Sequence, residues 1–278
     1  LCSADKEKRD MEFFLTLTFL FAVGAFCGWV IELIFRRLNS KKWINPGFLH
    51  GPYLPLYGCG LVLLFLIARI PLGGISPVWV RYVVLLAIIC AVMTLIEYIA
   101  GLIFIKGMGI KLWDYSARPG NIQGIICPLF SLFWTIIGGA YVFLLDPFVY
   151  RAVSWFTNNI YYSFFVGIFF GLFFWDLAST LKLSAKIRRF AKENRIAVRY
   201  EELKLTLRNY LDTEKLKSSF LNPFKASAEA IKQSFEKYME NFRNGVYSPK
   251  RKRKKPAAQK TPTKETASQE NTRDGNQS

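Results

Sequence analysis

Apolar positions run in long blocks through the first two thirds of the chain, and polar positions gather between them. Blocks of about 20 residues with almost no charge predict membrane-spanning helices. Five are expected, at about Phe13–Phe35, Pro55–Ile70, Val80–Ile105, Ile122–Leu145 and Tyr162–Leu181. The second holds only 16 residues and opens on proline, so a re-entrant segment is its alternative. The fold class is therefore all-α: a polytopic membrane domain over residues 11–181.

Beyond Leu181 the pattern changes to a three–four spacing. Ile196, Tyr200, Leu203, Leu207 and Leu211 predict an amphipathic helix within residues 182–222, broken at Asn222 and Pro223. Ile231, Phe235, Tyr238 and Phe242 predict a second, and residues 182–245 form one basic helical segment. From about Ser248 almost nothing can be buried, and residues 246–278 are expected to be disordered. Leu1–Asp10 is charged and precedes Met11, which reads as a natural start, so the first ten residues are expected to be upstream sequence.

One pattern occurs twice. Residues 47–57 read Gly-Phe-Leu-His-Gly-Pro-Tyr-Leu-Pro-Leu-Tyr, and residues 120–130 read Gly-Asn-Ile-Gln-Gly-Ile-Ile-Cys-Pro-Leu-Phe. Gly47, Gly51 and Pro55 recur as Gly120, Gly124 and Pro128, and His50 is matched by Gln123. Each copy follows an apolar block with one glutamate, Glu32 or Glu97. Duplicated helix–loop–helix units, repeat 1 at about 13–70 and repeat 2 at about 80–145, suggest a transport architecture with its site between the repeats. Shaping two similar turns is the plainer use of the same glycines and prolines.

The net charge of +17 divides unevenly, because residues 182–278 hold 24 Lys and Arg against 11 Asp and Glu. Basic residues also concentrate after the first block (Arg36, Arg37, Lys41, Lys42) and the third (Lys106, Lys111, Arg118). The positive-inside rule then places the N-terminus outside and the C-terminus in the cytoplasm. A basic tail beside a bilayer is expected to contact anionic lipid, and the Lys250–Lys255 run fits that use; nucleic acid is the disfavoured partner. The five cysteines form no CxxC pair, and His50 is the one histidine, so neither a metal centre nor a cofactor is expected.

An acid within a spanning helix is costly and usually faces a polar interior. Glu97 is the strongest candidate for an ion-coupling role, because its nearest basic neighbour in sequence, Lys106, is more than two turns away. Glu32 can instead pair with Arg36 at i+4, and Asp176 lies within reach of water or Lys182. Asp114, Asn121 and Gln123 are expected to line a cavity with His50 and Asn45 from the other repeat, although Asp114 and Ser116 could simply cap a turn. Gly24-x-x-x-Gly28 and Gly167-x-x-x-Gly171 are small faces suited to helix packing.

Gly28-Trp29-Val30-Ile31-Glu32, the stretch Asn45–Gly58 with its GPYLPLYG block, and Trp113-Asp114-Tyr115-Ser116 with Asn121, Gly124 and Cys127-Pro128 resemble the "Putative ABC-transporter type IV" (CmpB-like) family of bacterial membrane proteins. The resemblance covers about Phe13–Leu145 and extends toward the fifth block. It implies a multi-pass bacterial inner-membrane protein and a transporter permease; it assigns no substrate and no catalytic residue. The chain has no GxxxxGK[ST] phosphate loop, so an ATPase would be a separate subunit. No GxSxG, HExxH or nucleophile–base pair points to an enzyme. Five spans are few for a complete path, and a homodimer would double them. The alternative is a membrane-anchored interaction or regulatory protein working through its basic tail.

Overall fold

Helices with apolar faces on most sides dominate the chain, as a bilayer requires, since only hydrogen bonds closed within a helix or barrel survive in lipid. The computed structural model describes residues 2–40, 43, 45–194, 196–213, 224 and 228–245. Helix α1 is Cys2–Ser40, α2 is Pro55–Ile67 and α3 is Val78–Leu102. A π-helical turn, Ile103–Met108, ends α3. Helix α4 is Pro128–Ala140, followed by a second π-turn, Tyr141–Leu145, and then α5, Asp146–Asn158. Helix α6 is Ser163–Glu193, α7 is Tyr200–Thr213 and α8 is Ala228–Arg243.

Among the described residues, four helical runs are long and apolar enough to cross a membrane: Asp5–Leu38, Val78–Met108, Pro128–Asn158 and Ile160–Glu193. Helix α2 has 13 residues and rises about 20 Å, short of a hydrocarbon core of about 30 Å. The expected fourth block also shifts. Residues 122–126 form a tight turn, with Ile122 N–H donating to Ile126 O at 2.9 Å, so the helix begins at Pro128 rather than Ile122. It then continues past Leu145 through the second π-turn, and Pro147, which has no N–H to donate, follows just after that turn.

Helix α2 packs antiparallel along α1. A Cβ on Gly28 would fall 2.3 Å from the Tyr57 side chain, and one on Gly24 would fall 2.8 Å from Leu61, so the first small pair is a helix–helix contact. Around Gly167 and Gly171 there is open space. Helix α4 packs on α3, where Gly138 admits Ile89. At the far end of α2, Arg69 pairs with Asp146 at 3.0 Å and lies over the Phe65 ring, tying α2 to the start of α5.

Beyond the spanning runs, α7 and α8 pack on each other and on the basic end of α6. Tyr200, Leu203, Leu207, Leu211 and Tyr238 are buried there, and Phe190 stacks near Phe235. Phe242, expected on the buried face, is exposed. A two-stranded parallel pair, β1 (Ile110–Lys111) and β2 (Val198–Arg199), joins this unit to the end of α3. The expected break at Asn222 and Pro223 and the basic tail 246–278 lie outside the described residues.

Candidate functional site

The loop before α2 is held by its own side chains. Asn45 Oδ1 accepts from the Trp29 indole at 2.8 Å and from Gly47 N–H at 3.3 Å, while its amide donates to the carbonyls of Leu49 and His50. This curls the loop so that His50, Gly51 and Tyr53 face α6. There the Asp176 carboxylate accepts from His50 Nδ1 at 2.7 Å, Gly51 N–H at 2.7 Å, Tyr53 O–H at 2.8 Å and Thr180 Oγ1 at 3.1 Å. Asp176 is thus tied to a loop more than 120 positions away in sequence, not to Lys182. A carboxylate can only accept here, so Nδ1 carries the proton. The buried Nε2 has no hydrogen-bond partner among the described residues. Gly51 lies so close to Tyr53 that a Cβ would sit 2.2 Å from its ring.

Glu32 and Glu97 each accept a tyrosine hydroxyl. Glu32 Oε2 accepts from Tyr57 at 3.0 Å, and its other oxygen takes Arg36 Nε at 3.0 Å, the i+4 pairing that the sequence allows. Arg36 also pairs with Glu201 of α7. Glu97 is 3% exposed, and its Oε1 accepts from Tyr115 at 3.0 Å while Oε2 has no partner among the described residues. Phe130, the counterpart of Tyr57, lacks a hydroxyl and stacks on Tyr115 at 4.2 Å instead. The Trp134 indole lies beside Glu97 and packs edge-on to Tyr57. Glu32, Tyr57, Trp134, Glu97 and Tyr115 thus form one chain of polar and aromatic groups linking α1 and α2 to α3 and α4.

The second loop organises itself. Asp114 Oδ1 accepts from Ser116 N–H at 3.1 Å and from its hydroxyl at 2.5 Å, and Asn121 spans the carbonyls of Ser116 and Arg118 and the Gly124 N–H. Gln123 adopts φ 55° and Gly124 φ 69°; a Cβ on Gly124 would meet Ser116 Oγ at 2.4 Å. Burial works to raise the Asp114 pKa, but the Ser116 hydrogen bonds, Lys111 and Arg199 outweigh it and hold it below the usual carboxylate range. Asp114 therefore turns to its own loop and to Arg199, while His50 turns to Asp176 on α6 and Asn45 to Trp29 and its own loop. None of these three, nor Asn121 or Gln123, lines the groove of about 590 Å³ found beside α6.

What the expectations omit is the docking of α7. Lys204 is 5% exposed and donates to Asn45 O at 3.3 Å and Gly47 O at 2.5 Å. Tyr200 O–H donates to Phe48 O at 3.2 Å, and Arg199 pairs with Asp114 at 2.8 Å. The segment thus holds the loop before α2 and the Asp114 loop at once. Burial, helped by Arg36 and opposed by Glu201 and Asp176, pulls the Lys204 ammonium down to about 7. A lysine inside the Tyr200–Leu207–Leu211 stripe was the signal available in the sequence.

Among the described residues no group of three His, Cys, Asp or Glu could hold a metal ion. No curated protein and no solved structure matches the chain. One protein-family model, described as "Putative ABC-transporter type IV", matches residues 19–181, which takes in Glu32, Glu97 and the Asp176 knot but stops before α7.

Proposed function

Because the chain belongs to the "Putative ABC-transporter type IV" family, we propose that it is the membrane-spanning permease component of a transporter, whose solute or ion path runs between the two repeats past Glu32 and Glu97. The observation that carries this reading is Glu97. It sits within a spanning run and is almost wholly buried, and its Oε2 has no hydrogen-bond partner among the described residues. Such a group is expensive in a membrane and is kept where it works on a solute or a proton. Glu32 is the resting partner of Arg36, and Tyr57 and Trp134 connect it to Glu97. His50 and Asp176 hold the entry loop against α6.

The protein lies in the bacterial inner membrane with its basic end in the cytoplasm, following the charge distribution. A separate ATPase subunit docks on that side, and a homodimer completes the path. The second reading, an adaptor acting through its tail, draws support from the way α7 grips both loops.

Reconstitution separates the two. The full chain and a chain ending at Gly245 are placed in proteoliposomes, and flux of a panel of ions and small metabolites is followed. A permease moves the same solute in both forms. No flux from either form, together with partner regulation that disappears when residues 246–278 are removed, supports the adaptor.

A further inference from the structure

At its basic end α6 passes beside the π-turn that closes α3, and the two leave a groove of about 590 Å³ between them. Its floor is apolar: Met108 from the turn, and Leu181 and Ala185 from α6. Gly107 widens it, since a Cβ there would meet nothing within 4 Å. Its rim carries Arg188 and Lys192, four residues apart and therefore one above the other on the helix. Neighbouring Arg189 is already paired with Glu193 at 2.9 Å. No lining residue is acidic, and no described carboxylate lies within ion-pair distance of Arg188 or Lys192.

The place of the groove decides what fills it. Leu181 and, seven residues earlier, Phe174 are exposed along the same side of a helix long and apolar enough to span. A soluble anion would match the two cations but leave this apolar strip uncovered. A zwitterionic lipid would cover the strip but bring its own cation to the rim. A lipid with net negative charge at the phosphate satisfies both.

We propose that this groove is a binding site for an anionic phospholipid, with its phosphate between Arg188 and Lys192 and an acyl chain running past Leu181 toward Phe174. The site is independent of the transport reading, because it uses none of the groups between the repeats.

Native mass spectrometry of the full chain, purified in detergent and given phosphatidylglycerol or phosphatidylcholine, tests it. Wild type retains phosphatidylglycerol in preference. Arg188→Gln with Lys192→Gln lowers that retention about tenfold or more, as the loss of two interfacial cations predicts. Lys182→Gln with Lys186→Gln removes the same charge from residues outside the groove lining and changes retention less than twofold. Gly107→Phe keeps every charge but fills the groove, with room for the new side chain, and also abolishes retention. The proposal is overturned if Gly107→Phe binds phosphatidylglycerol like wild type, for then charge alone attracts the lipid. It is equally overturned if phosphatidylcholine is retained as well, or if inorganic phosphate displaces the lipid. Circular dichroism and gel filtration confirm that each variant is folded.

Discussion

Asp176→Asn replaces a carboxylate with an amide of nearly the same size, so it leaves no cavity and alters only the hydrogen-bond chemistry of the knot. Four donors converge on Asp176, three of them at 2.7–2.8 Å. A hydrogen bond to a charged acceptor contributes about 1.5–3 kcal/mol and one to a neutral acceptor about 0.5–1.5. Three short bonds weakened by about 1 kcal/mol each give about 3 kcal/mol, before any cost of amide hydrogens facing donors. The loss falls on the attachment of the 45–53 loop to α6, since three of the donors belong to that loop. Gly51 N–H is one of them and reports opening directly. Its hydrogen exchange, followed by mass spectrometry in nanodiscs, is expected to quicken about 100-fold, at about 1.4 kcal/mol per factor of ten. Peptides from α3 and α4 should exchange as in wild type. Gly51 exchange unchanged within about threefold would refute the idea that the carboxylate, rather than surrounding packing, holds the loop.

Lys204 gives a pH test. Its folded pKa lies near 7, below its ordinary value of 10.5, so between those values the unfolded segment binds more protons and docking of α7 strengthens as pH rises. Exchange protection of α7 should therefore increase from pH 7 to pH 10, and Lys204→Met should remove the dependence; a wild-type profile flat or falling over that range contradicts the lowered Lys204 pKa. Gly124→Ala forces a Cβ into the left-handed region and against Ser116, which is expected to lower stability by about 1–3 kcal/mol in detergent unfolding. An unchanged midpoint would show that the loop relaxes freely. Arg69→Gln strips Asp146 of its cation and should loosen the α2–α5 end, seen as faster exchange at residues 141–150, while the Asp176 knot stays protected.

Long apolar blocks made the spanning helices legible, and Pro55 already marked α2 as the short one. The boundary at Pro128 was not legible, because Ile122, Ile125 and Ile126 look the same in a tight turn as in a helix. The Glu32–Arg36 pair followed from its spacing of four, a local rule. Asp176 and His50 could not be paired in advance, since their meeting depends on how a loop folds against a helix 126 positions away. Tyr115 serving Glu97 was hidden for a related reason: the repeat assigns Phe130 to the place of Tyr57, and a phenylalanine cannot donate. The α7 latch was the largest omission. Its apolar stripe showed that something would be buried, but not that the buried partner is the loop before α2.

Transport past Glu97 is the central claim, and flux through proteoliposomes carrying wild type, Glu97→Gln or Tyr115→Phe, with and without a proton gradient, tests it most directly. The account predicts gradient-sensitive flux in wild type, its loss in Glu97→Gln, and a partial reduction in Tyr115→Phe, where the carboxylate remains but loses the Tyr115 hydroxyl. Equal flux in wild type and a folded Glu97→Gln would contradict it and leave the buried acid a structural group.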